Sequence, residues 1–83
     1  MRPEVLERLK GIRDTWKMRD AIAELCRPFG EIVRIDVERD GDGALICLVD
    51  MAKVGQNAAL SRHLGGFSYG LGVGFRIPVA GDW

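Results

Sequence analysis

The apolar and polar positions repeat along the chain with two different periods, and they predict two helices and three strands. The first helix spans Trp16 to Arg27, where apolar residues return every three or four positions. Asp14 or Thr15 is its expected N-cap. Pro28 stops the helix because proline lacks the N–H that a further turn needs, and Gly30 completes the exit. Its apolar face consists of Met18, Ile22, Leu25 and Cys26.

A β-hairpin is predicted directly after this helix. Its first strand is the β-branched segment Ile32 to Val37, and its second is the apolar segment Ala44 to Met51. Between them Asp-Gly occurs twice, at residues 40–41 and 42–43, which strongly favours a hairpin turn. Because side chains alternate along a strand, the second strand directs Leu45, Cys47, Val49 and Met51 into the core. Its other face carries Ala44, Ile46, Leu48 and Asp50.

The C-terminal half predicts a second helix and a last strand. The helix runs roughly from Ala52 to Leu64, and Gly65-Gly66 ends it. After it the sequence alternates with a period of two, which predicts a strand with one packed face. The packed face consists of Leu71, Val73, Phe75, Ile77 and Val79. The other face consists of Gly70, Gly72, Gly74, Arg76 and Pro78.

Residues 5–10 allow two interpretations. Pro3 and the following Glu, Leu, Arg and Lys residues favour a short helix. Gly11, however, interrupts the helical pattern early, and Val5 to Lys10 also fits a strand with Gly11 at its exit. The residues alone leave both the strand and the helix open.

Length and charge predict one domain, covering residues 1–83, with no general attraction to polyanions. Twelve basic and twelve acidic side chains cancel, so any anion site must come from local clustering. No apolar run approaches the roughly 18 residues of a membrane span, and residues 1–4 do not open a signal peptide. Cys26 and Cys47 lie inside apolar segments, as buried thiols of a reducing compartment do. We therefore expect a cytoplasmic protein without a membrane partner.

Residue types that support catalysis or metal binding are not grouped in this sequence. His63 is the only histidine and has no partner at ligand spacing. The glycines of residues 70–74 lie in an alternating strand and not between a strand and a helix, where a phosphate loop would lie. The acidic turn lacks the closing carboxylate of a calcium loop, since that position is Val49. We expect no enzyme activity, no cofactor and no metal.

The order of these elements resembles the RNA recognition motif family. Residues 21–32 look like the family's first helix and its Phe-Gly-x-Ile exit, and residues 64–67 are similar to its Leu-Asn-Gly-aromatic segment. Residues 75–77 resemble its last strand, and residues 8–12 resemble the Arg-Leu-Arg-Gly-Leu start of the divergent quasi-RRM group. The resemblance implies an α+β fold, a ferredoxin-like βαββαβ plait with an antiparallel sheet and two helices on one face. Residues 5–10 would then form its central first strand.

The sequence departs from the family where bases normally stack. The third strand of the family carries two aromatic rings on the open face of the sheet. Here those positions are Ile46 and Leu48, or Ala44 and Ile46 if the register moves by two residues. Arg8 stands in the aromatic position of the first strand. Stacking on these two strands is therefore not expected.

Two functions follow from the open face that this arrangement predicts. The resemblance implies weak, salt-sensitive binding of single-stranded RNA through phosphate contacts. The residues that it assigns are Arg8, Lys10, Arg34, Ile46, Leu48 and Arg76. The alternative is protein association, as a homodimer or with another partner, through an apolar strip. That strip consists of Ala44, Ile46 and Leu48, unless residues 80–83 fold back and cover it.

Overall fold

The structure, a computed structural model, describes residues 2–41 and 43–78 and has an α+β fold with three helices and a four-stranded antiparallel sheet. The first helix and the hairpin of the prediction are confirmed, and the second predicted helix begins two residues later than expected. The elements are α1 (Pro3–Leu9), α2 (Thr15–Cys26), a 3₁₀ turn (Arg27–Phe29), β1 (Ile32–Arg39), β2 (Ala44–Met51), α3 (Val54–Leu64), β3 (Phe67–Tyr69) and β4 (Gly72–Pro78).

The N-terminal segment forms a helix, so the strand interpretation of residues 5–10 is wrong. Pro3 lies at the first helical position and Glu4 in the first turn, where an acidic side chain suits the helix dipole. Val5 and Leu9, one turn apart, are both buried in the core. The Arg2 N–H donates to the Leu64 carbonyl at 2.9 Å, which attaches the start of α1 to the end of α3. Local helix propensity therefore agrees with the tertiary packing here.

The central place of the sheet is filled by the C-terminal strand. The strand order is β1-β2-β4-β3, and each neighbouring pair is antiparallel. The sequence predicted the first strand of a βαββαβ plait beside β2, but β4 lies there. The short strand β3, which the sequence did not predict, pairs with β4 through a tight hairpin. Gly70 has φ +58° in its turn, a conformation that glycine adopts without strain.

One hydrophobic core lies between the three helices and one face of the sheet. Asp14 caps α2, because its carboxylate accepts hydrogen bonds from the backbone N–H groups of Trp16 and Lys17. The strand alternation predicted for β2 is confirmed, since Leu45, Cys47, Val49 and Met51 are buried in this core. Met18, Ile22, Cys26, Leu60 and Leu64 cover them from the helices.

The last predicted strand is shorter than the alternation suggested. Val73, Phe75 and Ile77 are buried as expected, but Leu71 lies in the β3–β4 turn and is exposed. The alternation of glycine and apolar residues extends into residues 70 and 71 of the sequence, but these two residues form the β3–β4 turn and are not part of the strand. Val79, which the prediction placed on the packed face, lies outside the described residues.

Candidate functional site

The face of the sheet opposite the helices, here called the open face, carries side chains in rows that cross the strands. One row joins Asp36, Leu48 and Gly74 to Phe67 on β3. The neighbouring row on one side contains Arg34, Asp50 and Tyr69, and that on the other contains Glu38, Ile46 and Arg76. The structure thus places Arg34, Ile46, Leu48 and Arg76 on one surface.

Arg8 and Lys10 are not brought to the open face. Arg8 lies in the last turn of α1, and Lys10 is the C-cap of that helix. The Lys10 ammonium forms an ion pair with Glu7 at 2.7 Å. Both were predicted on the open face only because residues 5–10 were interpreted as a strand. An RNA site that uses the open face therefore loses two of its four predicted cations.

The arginines of the open face are held by carboxylates. The Arg34 guanidinium lies 3.0 Å from Asp50 Oδ2 and 3.3 Å from Asp36 Oδ2. The Arg76 Nε lies 3.4 Å from Asp40 Oδ2. With Glu38, the described residues on and beside this face comprise two guanidinium groups and four carboxylates, which leave two net negative charges. Such a surface repels a phosphate backbone.

Ala44 contributes little to this surface, in contrast to the prediction. Its side chain is only 3% exposed. Ala44 pairs with Pro78 on β4, and its carbonyl accepts a hydrogen bond from the Asp40 N–H at 2.8 Å. A methyl group enclosed between a proline and a hairpin turn cannot reach a partner. The apolar strip on β2 is therefore reduced to Ile46 and Leu48, both half-buried.

Two aromatic rings lie on the open face, contributed by a strand that the sequence analysis did not predict. Phe67 pairs with Gly74, and Tyr69 pairs with Gly72. A Cβ built on Gly74 would meet the Phe67 ring, so this ring lies directly over the glycine. The ring is 44% exposed. The signal in the sequence was two aromatic residues two positions apart, followed by glycines at the two paired positions.

An apolar groove, here called the end groove, opens where the sheet meets the start of α3. It has a cavity volume of about 500 Å³. Its wall includes the exposed apolar side chains Val33, Val54, Tyr69 and Leu71, which are between 52% and 79% exposed. The Arg34–Asp50 ion pair lies beside them. Tyr69 belongs to both surfaces, so the end groove continues into the open face.

The walls of the end groove come from three separate segments, and local features present them. A β-bulge at Val33, between Ile32 and Arg34, takes this side chain out of the regular alternation. Asn57, which is buried, connects the other two segments: its Oδ1 accepts from the Met51 N–H at 3.0 Å, and its Nδ2 donates to the Leu71 carbonyl at 2.8 Å. The groove was not predicted from the sequence, because a bulge, a turn and a buried amide leave no periodic signal in it.

The residues with chemical reactivity lie away from these surfaces. Cys26 and Cys47 are free and buried, and burial raises the pKa of each thiol to about 12. The His63 ring packs against Phe29, with ring centroids 5.5 Å apart. Over residues 2–41 and 43–78, no three His, Cys, Asp or Glu side chains are placed to hold a metal ion. In the same ranges no helix has the length and apolar character required to cross a bilayer.

No protein-family model matches the chain, and no curated protein or solved structure is detectably similar to it. The geometry of the open face and the end groove therefore carries the functional argument.

Proposed function

We propose that this protein is a non-enzymatic protein-association module that binds a partner protein through the end groove and the adjoining part of the open face. One observation carries this proposal. Of the six large apolar side chains exposed on the described surface, four line this single groove. Scattered exposed apolar residues are ordinary, but a contiguous group of them marks an interaction site.

The charges around the groove define the partner's chemistry. The open face beside the groove is net negative, and Asp50 lies at the point where the two surfaces meet. A partner segment that inserts a large apolar side chain gains further if it places Lys or Arg near these carboxylates. A second copy bound face to face would oppose two acidic surfaces. We therefore propose a different protein as the partner of this face.

A displayed library of random peptides tests this proposal without knowledge of the natural partner. The library is selected on the wild-type protein and counter-selected on the variant Val54→Lys/Leu71→Lys, which places cations in the end groove. We expect enriched sequences with an aromatic or large aliphatic residue beside Lys or Arg. Their synthetic peptides should shift the backbone amides of residues 33, 54, 69 and 71. Selection that recovers the same peptides on the variant would refute the proposal.

A second candidate function is single-stranded RNA binding, and the rings of Phe67 and Tyr69 favour it. Base stacking on an aromatic side chain contributes about 1–3 kcal/mol per base.

We also propose a finer description of the fold, which relates it to the RNA recognition motif. From α2 onward, the elements follow the order of a ferredoxin-like plait whose first strand has moved to the C-terminal end. The supporting feature is that β4 lies between β2 and β3, where the first strand of that plait lies.

Titration with single-stranded oligo(U) and oligo(A) of about eight nucleotides at about 50 mM salt tests this second candidate. If RNA binds the open face, the amides of Phe67, Tyr69 and Leu48 should shift, and Tyr69→Ala should weaken binding. Arg8→Gln, which changes a cation away from this face, should leave the affinity unchanged. The absence of shifts at millimolar RNA would remove this candidate.

The cellular location that we propose is the cytoplasm. The two thiols are free and lie in the core, as is ordinary in a reducing compartment.

A further inference from the structure

Among the described residues, the outer edge of β1 is an unpaired strand edge. β1 has eight residues, and within the described part of the chain it pairs with β2 alone. A strand of this length presents a row of backbone N–H and C=O groups that can pair with another strand. The bulge at Val33 ends its regular part, which leaves Arg34 to Arg39 available for pairing. This edge lies on the far side of β2 from β3 and Phe67.

The charges along this edge are complementary to themselves. In an antiparallel pair of identical strands that keeps the helices of both copies on one side, the two-fold axis passes through one residue. With the axis at Ile35, Arg34 of each copy lies opposite Asp36 of the second copy. Opposite charges that face each other directly across two strands stabilise the pair.

Neighbouring registers with the same orientation place like charges opposite each other. An axis at Arg34 brings two guanidinium groups together, and an axis at Asp36 brings two carboxylates together. An axis at Val37 places Asp36 opposite Glu38 of the second copy. Of these four registers, only the one centred on Ile35 contains attractive pairs without a repulsive one. The order of the charges thus selects one register.

The space beside this edge is open, and an exposed tryptophan borders it. A groove of about 240 Å³ lies between α2 and β1, lined by Thr15, Trp16 and Arg19 on one side and by residues 35–37 on the other. Trp16 is 69% exposed, and the Arg19 guanidinium lies 5.6 Å from the centre of its ring. Tryptophan and arginine are enriched in protein interfaces relative to the rest of the surface. The formal net charge of zero also means that two copies do not repel each other as wholes.

We propose that two copies of this chain associate through the β1 edges, in the register centred on Ile35, to form a continuous eight-stranded sheet. The partner at this edge is a second copy, because the charge pattern matches itself. This association involves Val33 and Arg34, which also border the end groove, but it does not depend on the partner-binding function proposed above. In this register only residues 34–36 of each copy pair regularly, because Val37 lies opposite the bulged Val33 of the second copy, so the dimer is weak and forms at high protein concentration.

A pair of charge variants tests the register directly. Arg34→Asp gives an edge with two carboxylates, and Asp36→Arg gives an edge with two guanidinium groups. Each variant alone faces like charges in the proposed register, so we expect its dimer to be weakened at least about tenfold. Mixed in equal amounts, the two variants present opposite charges at both positions and should recover the dimer. Sedimentation equilibrium measures the mass against the 9.2 kDa monomer.

Two controls separate this edge from other surfaces. Asp50→Asn removes one of the two intrachain carboxylate partners of Arg34 at the open face, yet it leaves Arg34 and Asp36 in place, so the dimer should persist. Leu71→Lys disrupts the end groove at a residue beyond β2 from this edge and should also leave the dimer intact. Arg34 and Asp36 are about half exposed, so both variants should fold, and amide spectra verify this. A wild type that remains at 9.2 kDa at millimolar concentration, a mixture that stays monomeric, or loss of the dimer in Leu71→Lys would each overturn the proposal.

Discussion

Removal of the Asn57 side chain should disturb the end groove more than the rest of the fold. It is buried in α3, and its amide group satisfies two backbone groups outside that helix. The Met51 N–H lies at the end of β2, and the Leu71 carbonyl lies in the β3–β4 turn. Replacement by alanine removes both hydrogen bonds. It should loosen the groove while most of the core remains in place.

The size of the effect follows from the burial of the two backbone groups. The hydrogen bond to Met51 is buried, so its orphaned N–H costs about 1–3 kcal/mol. The bond to Leu71 is only partly buried, and water can replace much of it, at a cost of about 0.5–1 kcal/mol. Alanine returns about 0.5 kcal/mol through its better helix propensity. We therefore expect Asn57→Ala to lower the free energy of unfolding by about 2 kcal/mol.

Urea unfolding followed by circular dichroism measures this change. With a slope of about 1 kcal/mol per M for a domain of this size, the midpoint should fall by about 2 M. Ser61→Ala is the matched control on the same helix, because it removes one partly buried hydrogen bond to the Gly66 carbonyl and orphans no N–H group. It should cost less than about 1 kcal/mol. Hydrogen exchange of the Met51 amide should accelerate in Asn57→Ala alone. If the two variants lose equal stability, the proposed role of Asn57 is refuted.

Three further predictions concern the open face, the core thiols and the end groove. Gly72→Ala should destabilise the protein more than Gly74→Ala, by about 1 kcal/mol or more. The methyl group added at residue 72 meets a backbone carbonyl, whereas the methyl group added at residue 74 meets only the Phe67 ring, which can rotate away. Urea unfolding that gives the reverse order of stability contradicts this prediction. Burial raises the folded-state pKa of Cys26 and Cys47 to about 12, so the folded protein keeps protons that the unfolded chain releases above about pH 9. Stability should therefore fall as pH rises from about 9 toward 12, and Cys26→Ala/Cys47→Ala should remove much of that fall in a pH series of thermal unfolding. Leu71→Lys changes an exposed side chain, so it should shift the free energy of unfolding by no more than about 0.5 kcal/mol. The same change should weaken binding of the selected peptides at least about tenfold, as measured by fluorescence anisotropy. A large loss of stability would mean that the groove wall is part of the core.

The elements with a clear period could be predicted from the sequence, and those defined by single residues could not. The helix that ends at Pro28 and the alternation of β2 depend on repeated burial, which leaves a periodic pattern. The segment of residues 5–10 is too short for such a pattern, and the assumed family topology favoured a strand where Pro3 and the local helix propensities favoured a helix. Among the predicted site residues, those on β1, β2 and β4 lie on one face of the sheet. Arg8 and Lys10 do not, because the segment predicted as their strand is a helix. The end groove depends on a bulge, a turn and a buried amide, so only three-dimensional structure reveals it.

The aromatic rings beside the end groove have their origin in the position of β4. Had residues 5–10 formed the central strand, β4 would have closed one edge of the sheet, and Phe67 would have had no paired glycine beneath its ring. Because β4 pairs with β2 instead, the chain before it forms β3, and this strand places Phe67 and Tyr69 on the open face beside the end groove. The same order leaves β1 at the opposite edge, with its charges in a sequence that matches a second copy. Association at the β1 edge would then extend the sheet beside Val33 and Arg34, at one border of the end groove, while Tyr69 and Leu71 line the groove from beyond β2. A dimer of this kind would present two grooves, and a partner with two binding segments would gain avidity from it.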